Sequence, residues 1–104
     1  MPGTCRAIGE IDMATAAAFG ADLHDAIDNS DETLVNVDCS GVTFMGSAGY
    51  HVLVEATEYA TRRGHTLVIR NMSSSCARLL RLCIRNNDLT IESLSRTRRV
   101  LRGV

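Results

Sequence analysis

The chain reads TLVNVDCSGVTFMGSAG over residues 33–49, a run that passes from a strand pattern to a helix pattern. Its first six residues are rich in β-branched side chains, which is typical of a buried strand. A Ser-Gly pair then indicates a turn, and Phe44 and Met45 supply apolar anchors for a loop. Because Gly-Ser-Ala-Gly follows, we expect a helix to begin at Ser47.

Strand and helix patterns alternate outward from this run. Apolar residues recur at helical spacing over Thr15–Asp28, Ser47–Arg63, Ser75–Arg85 and a last predicted helix, Ser93–Val104. Strand patterns cover Cys5–Glu10, Thr66–Arg70 and, more weakly, Leu89–Glu92. Strands that alternate with helices predict an α/β fold, in which helices pack on a sheet and crossovers between parallel strands are right-handed.

Length and composition indicate one globular domain. The chain has 104 residues, of which 45% are hydrophobic and 22% charged, so one core can form without disulfides or metal. No apolar run reaches the roughly 18 residues that a membrane span requires, and the first ten residues lack the apolar core of a signal peptide. We therefore expect a single domain over residues 1–104, located in the cytoplasm, with no direct membrane insertion.

Charge is distributed unevenly along the chain. Residues 1–58 hold ten acidic residues and one arginine, a net charge of −9, whereas residues 59–104 hold ten arginines and two acidic residues, a net charge of +8. A basic half can indicate nucleic-acid binding, but the two halves can also neutralise each other once folded. With no Trp, two Tyr and two Phe, few side chains could stack on bases. We expect no nucleic-acid partner.

The cysteines and histidines form no recognisable metal motif. The four cysteines contain no CxxC pair and the three histidines lie in separate elements, so no metal and no cofactor are expected. Four reduced thiols are the default for a cytoplasmic protein. If thiols regulate this protein, the expected pair is Cys39 with Cys76 or Cys83, because Cys39 follows a central strand and the other two lie in the arginine-rich third helix.

Ser47 is the residue whose local chemistry is most informative. At a helix start it lies among free backbone N–H groups and the positive end of the helix dipole, where a phosphoryl group can be held. The simpler interpretation is a helix cap. A third interpretation pairs Ser47 with His51, one helical turn later, as a small hydrolase, but no orienting third group or oxyanion site accompanies them.

The wider pattern resembles the STAS family, the sulfate-transporter and anti-sigma-factor-antagonist domain. The resemblance covers about residues 6–92 and rests on Gly9-Glu10-Ile11-Asp12, residues 35–45, Ser47-Ala48-Gly49, residues 63–69 and Leu79-Leu80. It implies a STAS-type fold, a mixed central β-sheet with helices packed mainly on one side. It also implies a strand before the first one; either this edge strand is lacking here or the recorded start is too late.

The resemblance further implies a function and a site. In the antagonist branch the serine at the position of Ser47 is phosphorylated by a kinase-like, ATP-binding anti-sigma factor, and the dephosphorylated form binds that factor and frees its sigma factor. The residue before the serine is usually Asp, whereas here it is Gly46. We expect a non-enzymatic antagonist, switched by phosphorylation of Ser47 or by cysteine redox state. The alternative is a STAS accessory subunit of a membrane transporter ATPase.

The expected partner surface is the loop and helix start around Ser47. Its residues are Thr43, Phe44, Met45, Gly46, Ser47, Ala48, Gly49, Tyr50 and His51. Aromatic side chains are favoured at interface centres, so Tyr50 is the expected hot spot if its ring points outward.

Overall fold

The computed structural model describes residues 4–83, 89–92 and 100–102. Five strands and three helices follow one another in the order β1 (Thr4–Ile11), α1 (Ala16–Asp28), β2 (Leu34–Met45), α2 (Ser47–Arg62), β3 (Thr66–Arg70), α3 (Ser74–Cys83), β4 (Thr90–Glu92) and β5 (Val100–Arg102). The predicted alternation of strands and helices is confirmed, and β3 has the predicted bounds.

The strands form one mixed sheet in the order β1-β2-β3-β4-β5. The first four are parallel, and β5 is antiparallel to β4. Each of the three helices connects two parallel strands that are neighbours in the sheet, and right-handed crossovers of this kind place all three helices on the same side. The predicted fold class, an α/β fold with helices on one side of a mixed sheet, is confirmed.

The second strand is longer than the sequence pattern predicted. The expected Ser-Gly turn at residues 40–41 is wrong, because β2 continues through this pair to Met45. Residues 34–38 pair with β3, and residues 36–45 pair with β1, where Ile8 faces Gly41 and Ile11 faces Met45. The register shifts along the β1–β2 pair, as in β-bulges, and bulges let a strand bend without ending.

The core lies between the sheet and the helices. The described residues buried in it include Leu23 and Ile27 of α1, Val35, Val37 and Cys39 of β2, Leu53 and Ala56 of α2, Leu67 and Ile69 of β3, and Leu80 of α3. Alternate residues of β2 point into this core, which is the pattern of a strand with one covered face. The apolar helix stripes predicted from the sequence are therefore the buried ones.

Gly64 follows α2, which ends at Arg62, one residue before its predicted end. Its φ of 83° lies in the left-handed region, where glycine is favoured. The Gly64 N–H donates to the Thr61 carbonyl at 3.1 Å and the His65 N–H donates to the Ala60 carbonyl at 2.9 Å. This pair of bonds is a Schellman motif, and it turns the chain directly into β3.

The C-terminal prediction needs correction. A helix over Ser93–Val104 is wrong at residues 100–102, which form β5 and pair antiparallel with β4. Pairing with the edge of the sheet outweighed the weak helical spacing of the apolar residues there, because tertiary context overrides local propensity. The third helix begins one residue earlier than expected, at Ser74. Its predicted end, residues 84–85, and the predicted helix residues 93–99 and 103–104 lie outside the described residues.

Candidate functional site

Two connections meet at the carboxyl ends of β1 and β2. These strands are parallel neighbours, so the turn into α1 and the junction into α2 lie at the same end of the sheet. A backbone hydrogen bond joins them, since the Gly46 N–H donates to the Ile11 carbonyl at 2.9 Å. The start of α2 is thereby fixed against the end of β1.

The turn after β1 exposes a methionine side chain to solvent. The Asp12 carboxylate accepts hydrogen bonds from the backbone N–H groups of Ala14 at 3.0 Å and Thr15 at 3.2 Å, which is an Asx-type turn. The Thr15 hydroxyl donates to the Glu10 carbonyl at 2.8 Å. Met13 lies at the tip of this turn with 89% of its surface exposed.

An open apolar depression lies between the two connections. Its volume is about 490 Å³, and it is lined by Asp12, Met13, Ala14, Phe44, Gly46, Ser47 and Ala48. Phe44 is 50% exposed, and its ring lies against the Gly46 backbone. Two large apolar side chains, Met13 and Phe44, therefore line one depression beside an exposed serine hydroxyl.

Ser47 is the first residue of α2 and is exposed. Gly46, with φ −97° and ψ 179°, is the N-cap and supplies no side-chain cap. Within the described residues, the N–H groups of Ser47 and Ala48 have no hydrogen-bond acceptor, whereas that of Gly49 donates to the Gly46 carbonyl at 2.9 Å. The site thus combines a hydroxyl, free N–H donors and a helix dipole.

Comparison with protein families decides the classification. The family model described as "STAS domain" matches residues 3–97, most of the chain. The chain belongs to the STAS family. Eleven chains of known structure also match this STAS domain. One is the anti-sigma factor antagonist SpoIIAA in its unphosphorylated form, with a TM-score of 0.68, 15% sequence identity, and coverage of 90% of this chain and 80% of that chain.

Two further findings concern curated relatives and membrane-spanning helices. Comparison with curated proteins finds no match. In the part of the STAS domain that the structure describes, no helix has the length and apolar character needed to cross a membrane.

The structure separates the expected partner residues into an exposed set and a buried set. Thr43, Phe44, Ser47 and His51 are exposed, and Gly46 and Ala48 are half-buried beside them. Met45, Gly49 and Tyr50 are buried in the STAS domain. Met45 anchors the junction, as expected from its apolar side chain, whereas Phe44, its expected fellow anchor, is half exposed.

Tyr50 does not meet the condition set for a hot spot. A contact role required its ring to point outward, but Tyr50 is only 9% exposed and belongs to the core cluster. Position 50 lies on the sheet-facing side of α2 together with Leu53, three residues later. Substitution of Tyr50 therefore perturbs the core and is unsuited to testing a partner surface.

Sequence reasoning missed the contribution of the first turn. Asp12 was named only as part of the STAS motif, and Met13 and Ala14 were given no role, yet all three line the depression. A signal was available, because the carboxyl ends of adjacent parallel strands lie together.

A serine–histidine dyad is not assembled in this STAS domain. Among the described residues no hydrogen bond joins Ser47 to His51, although both are exposed on α2. The His51 ring lies instead beside Tyr50, with ring centroids 5.4 Å apart. Among the described residues, no histidine is therefore hydrogen-bonded to the Ser47 hydroxyl as an activating base.

Of the proposed redox cysteines, the structure brings Cys39 and Cys76 together. Both are completely buried and belong to the same core cluster. Hydrogen bonding to the Cys76 thiol and, to a smaller extent, burial raise the pKa of the Cys39 thiol. Cys83 is only half-buried at the end of α3.

Proposed function

We propose that this STAS domain is an anti-sigma factor antagonist, a non-enzymatic module that binds an anti-sigma factor in the cytoplasm and frees its sigma factor. The observation that carries the proposal is the exposed Ser47 at an open helix start beside the depression formed with Met13 and Phe44. The fold likeness to SpoIIAA, an anti-sigma factor antagonist, supports the same role. The proposed partner is a kinase-like, ATP-binding anti-sigma factor.

The composition of the site suits a protein partner. Interface centres are apolar and well packed, with a polar rim. Here Met13 and Phe44 line the depression together with the polar Asp12 and Ser47, and Thr43 and His51 are exposed close by in the sequence. The volume of the depression, about 490 Å³, is enough for a protruding side chain of the partner. Rigid backbone ties, such as the bond from Gly46 to Ile11, lower the cost of ordering the surface on binding.

The proposal predicts that Phe44 is a binding hot spot. Phe44→Ala is expected to weaken binding to the cognate anti-sigma factor by about 2 kcal/mol, roughly 30-fold, because it removes the aromatic side chain that lines the depression. The matched control is Leu34→Ala, at the other end of β2 and 46% exposed, which should leave affinity unchanged. Titration calorimetry with each variant measures both values.

The same titration tests the alternative role. Equal affinities of the two variants for the anti-sigma factor would contradict the proposed surface. Absence of any binding to the anti-sigma factor, together with binding to a transport ATPase, would replace the antagonist with the accessory subunit of a membrane transporter. Thermal unfolding of both variants verifies that they remain folded.

We also propose that Ser47 is the regulatory phosphorylation site. The free N–H groups at the start of α2 favour a phosphate there. The acid that usually precedes the serine is replaced by Gly46, but the Asp12 carboxylate lines the same depression. An acidic residue therefore lines the depression that also holds Ser47, supplied by the turn after β1 instead of by the preceding residue.

Gly46→Asp is expected to fit without strain and to speed phosphorylation. A Cβ at Gly46 would meet its nearest atom, in the Phe44 ring, at 3.5 Å, an ordinary contact, and the extended backbone there suits any residue. Asp is also a better N-cap than Gly by a few tenths of a kcal/mol. We expect unchanged or slightly raised thermal stability and several-fold faster phosphate incorporation on Ser47 by the anti-sigma kinase. A slower rate in the variant would argue against recognition of the acidic residue.

A further inference from the structure

Cys39 and Cys76 are brought together by the packing of α3 against β2. The Ser73 N–H donates to the Cys39 carbonyl at 3.2 Å, and the Cys76 N–H donates to the Ser73 hydroxyl at 3.2 Å. These bonds place the first turn of α3 against β2, and both cysteines belong to the same buried core cluster. Both residues are 0% exposed.

The two thiols differ in how readily they ionise. The hydrogen bond from Cys39 lowers the pKa of Cys76, against the opposing effect of burial. Cys76 also lies in the first turn of α3, where the helix dipole favours a thiolate. Hydrogen bonding to Cys76 and burial raise the pKa of Cys39. The position of Cys76 in the first turn of α3, together with the lowered pKa of its thiol, favours Cys76 as the nucleophile and Cys39 as the resolving thiol.

We propose that Cys39 and Cys76 form a redox-active dithiol that a hydroperoxide converts to a disulfide. The Cys76 thiolate attacks one peroxide oxygen, the O–O bond breaks, and the other oxygen leaves with a proton as water or an alcohol. The Cys39 sulfur then attacks the sulfenic acid of Cys76, an S–S bond forms, and water leaves with the Cys39 proton. Two thiols lose two electrons and two protons, and the peroxide is reduced.

Access to the pair sets the rate of this reaction. Because both thiols are completely buried, the oxidant reaches them when the start of α3 opens locally. The two sulfurs must then approach to the roughly 2.05 Å of an S–S bond. The proposal concerns the chemistry of this pair and does not depend on which partner the Ser47 surface binds.

The positions of the arginines allow a tryptic digest to separate the four cysteines. Trypsin cleaves after arginine and places each cysteine on its own peptide: residues 1–6 carry Cys5, residues 7–62 carry Cys39, residues 71–78 carry Cys76 and residues 82–85 carry Cys83. The reduced full-length chain is treated with hydrogen peroxide, remaining thiols are alkylated, and the digest is analysed by mass spectrometry without reduction. We expect residues 7–62 linked to residues 71–78, with a mass loss of two hydrogens that a thiol reductant reverses.

Two cysteine variants and the identity of any other disulfide test whether Cys39 and Cys76 are the pair that reacts. Cys76→Ala should abolish the reversible mass loss, whereas the matched control Cys83→Ala, in the same helix, should retain it. Recovery of Cys39 and Cys76 as alkylated thiols after peroxide treatment would overturn the proposal. A bond between residues 1–6 and 7–62, joining Cys5 to Cys39, would also overturn it, since this pairing leaves Cys76 unused.

Discussion

Phosphorylation of Ser47 is expected to weaken binding to the anti-sigma factor about 100-fold or more, a loss of about 2.7 kcal/mol. A phosphate adds −1.5 to −2 charges at pH 7, directly beside the apolar depression that Met13 and Phe44 line. In a packed interface that charge must be desolvated, and it also shares the depression with the Asp12 carboxylate. The fold should tolerate it, because the start of α2 offers free N–H groups and a favourable dipole.

Ser47→Asp should reproduce part of this loss, and Ser47→Ala should bind as the unmodified protein does. Ser74→Asp is the matched control, because Ser74 is also the exposed first residue of a helix, α3. We expect both Asp variants to unfold within about 0.5 kcal/mol of the parent protein, while only Ser47→Asp loses affinity in titration calorimetry. An equal loss in the two variants would assign the effect to net charge. Full affinity in phosphorylated protein would refute the switch.

Gly49→Ala is expected to lower the free energy of unfolding by about 2–3 kcal/mol. A Cβ at this position would lie 2.8 Å from Ile11 Cγ2 and 2.8 Å from Met45 Cγ, both at the buried ends of β1 and β2. The first turn of α2 approaches the sheet this closely because position 49 has no side chain. The expected fall in melting temperature, measured by circular dichroism, is on the order of 10 °C for a domain of this size.

A second helical glycine provides the control for this prediction. Gly20 lies within α1, and a Cβ there would meet Val52 Cγ1 at 3.6 Å, an ordinary contact. Gly20→Ala should therefore stabilise the protein by about 0.5–1 kcal/mol, the usual gain from replacing glycine inside a helix. A Gly49→Ala variant as stable as Gly20→Ala would show that the end of β1 and the start of α2 are not closely packed.

Local sequence determined most of the elements. The β-branched runs of β2 and β3 and the apolar stripes of α1 and α2 reflect which side chains must leave water, and burial of those faces follows directly from their spacing. The start of α2 at Ser47 and its end at Gly64 were likewise fixed by local backbone chemistry. The order of these elements, with the STAS motifs, was enough for the fold class and for Ser47 as a candidate site.

Tertiary structure decided what neighbouring residues in the sequence could not. The extension of β2 to Met45 depends on pairing with β1, and β5 depends on pairing with β4, since a strand is stabilised by partners distant in sequence. Packing of α2 on the sheet buried Tyr50 and left Phe44 exposed. Because the ends of adjacent parallel strands lie together, Met13 lines the same depression as Ser47. The packing of α3 on β2 likewise brings Cys39 close to Cys76. Residues far apart in the chain meet in this way only when the helices pack on the sheet.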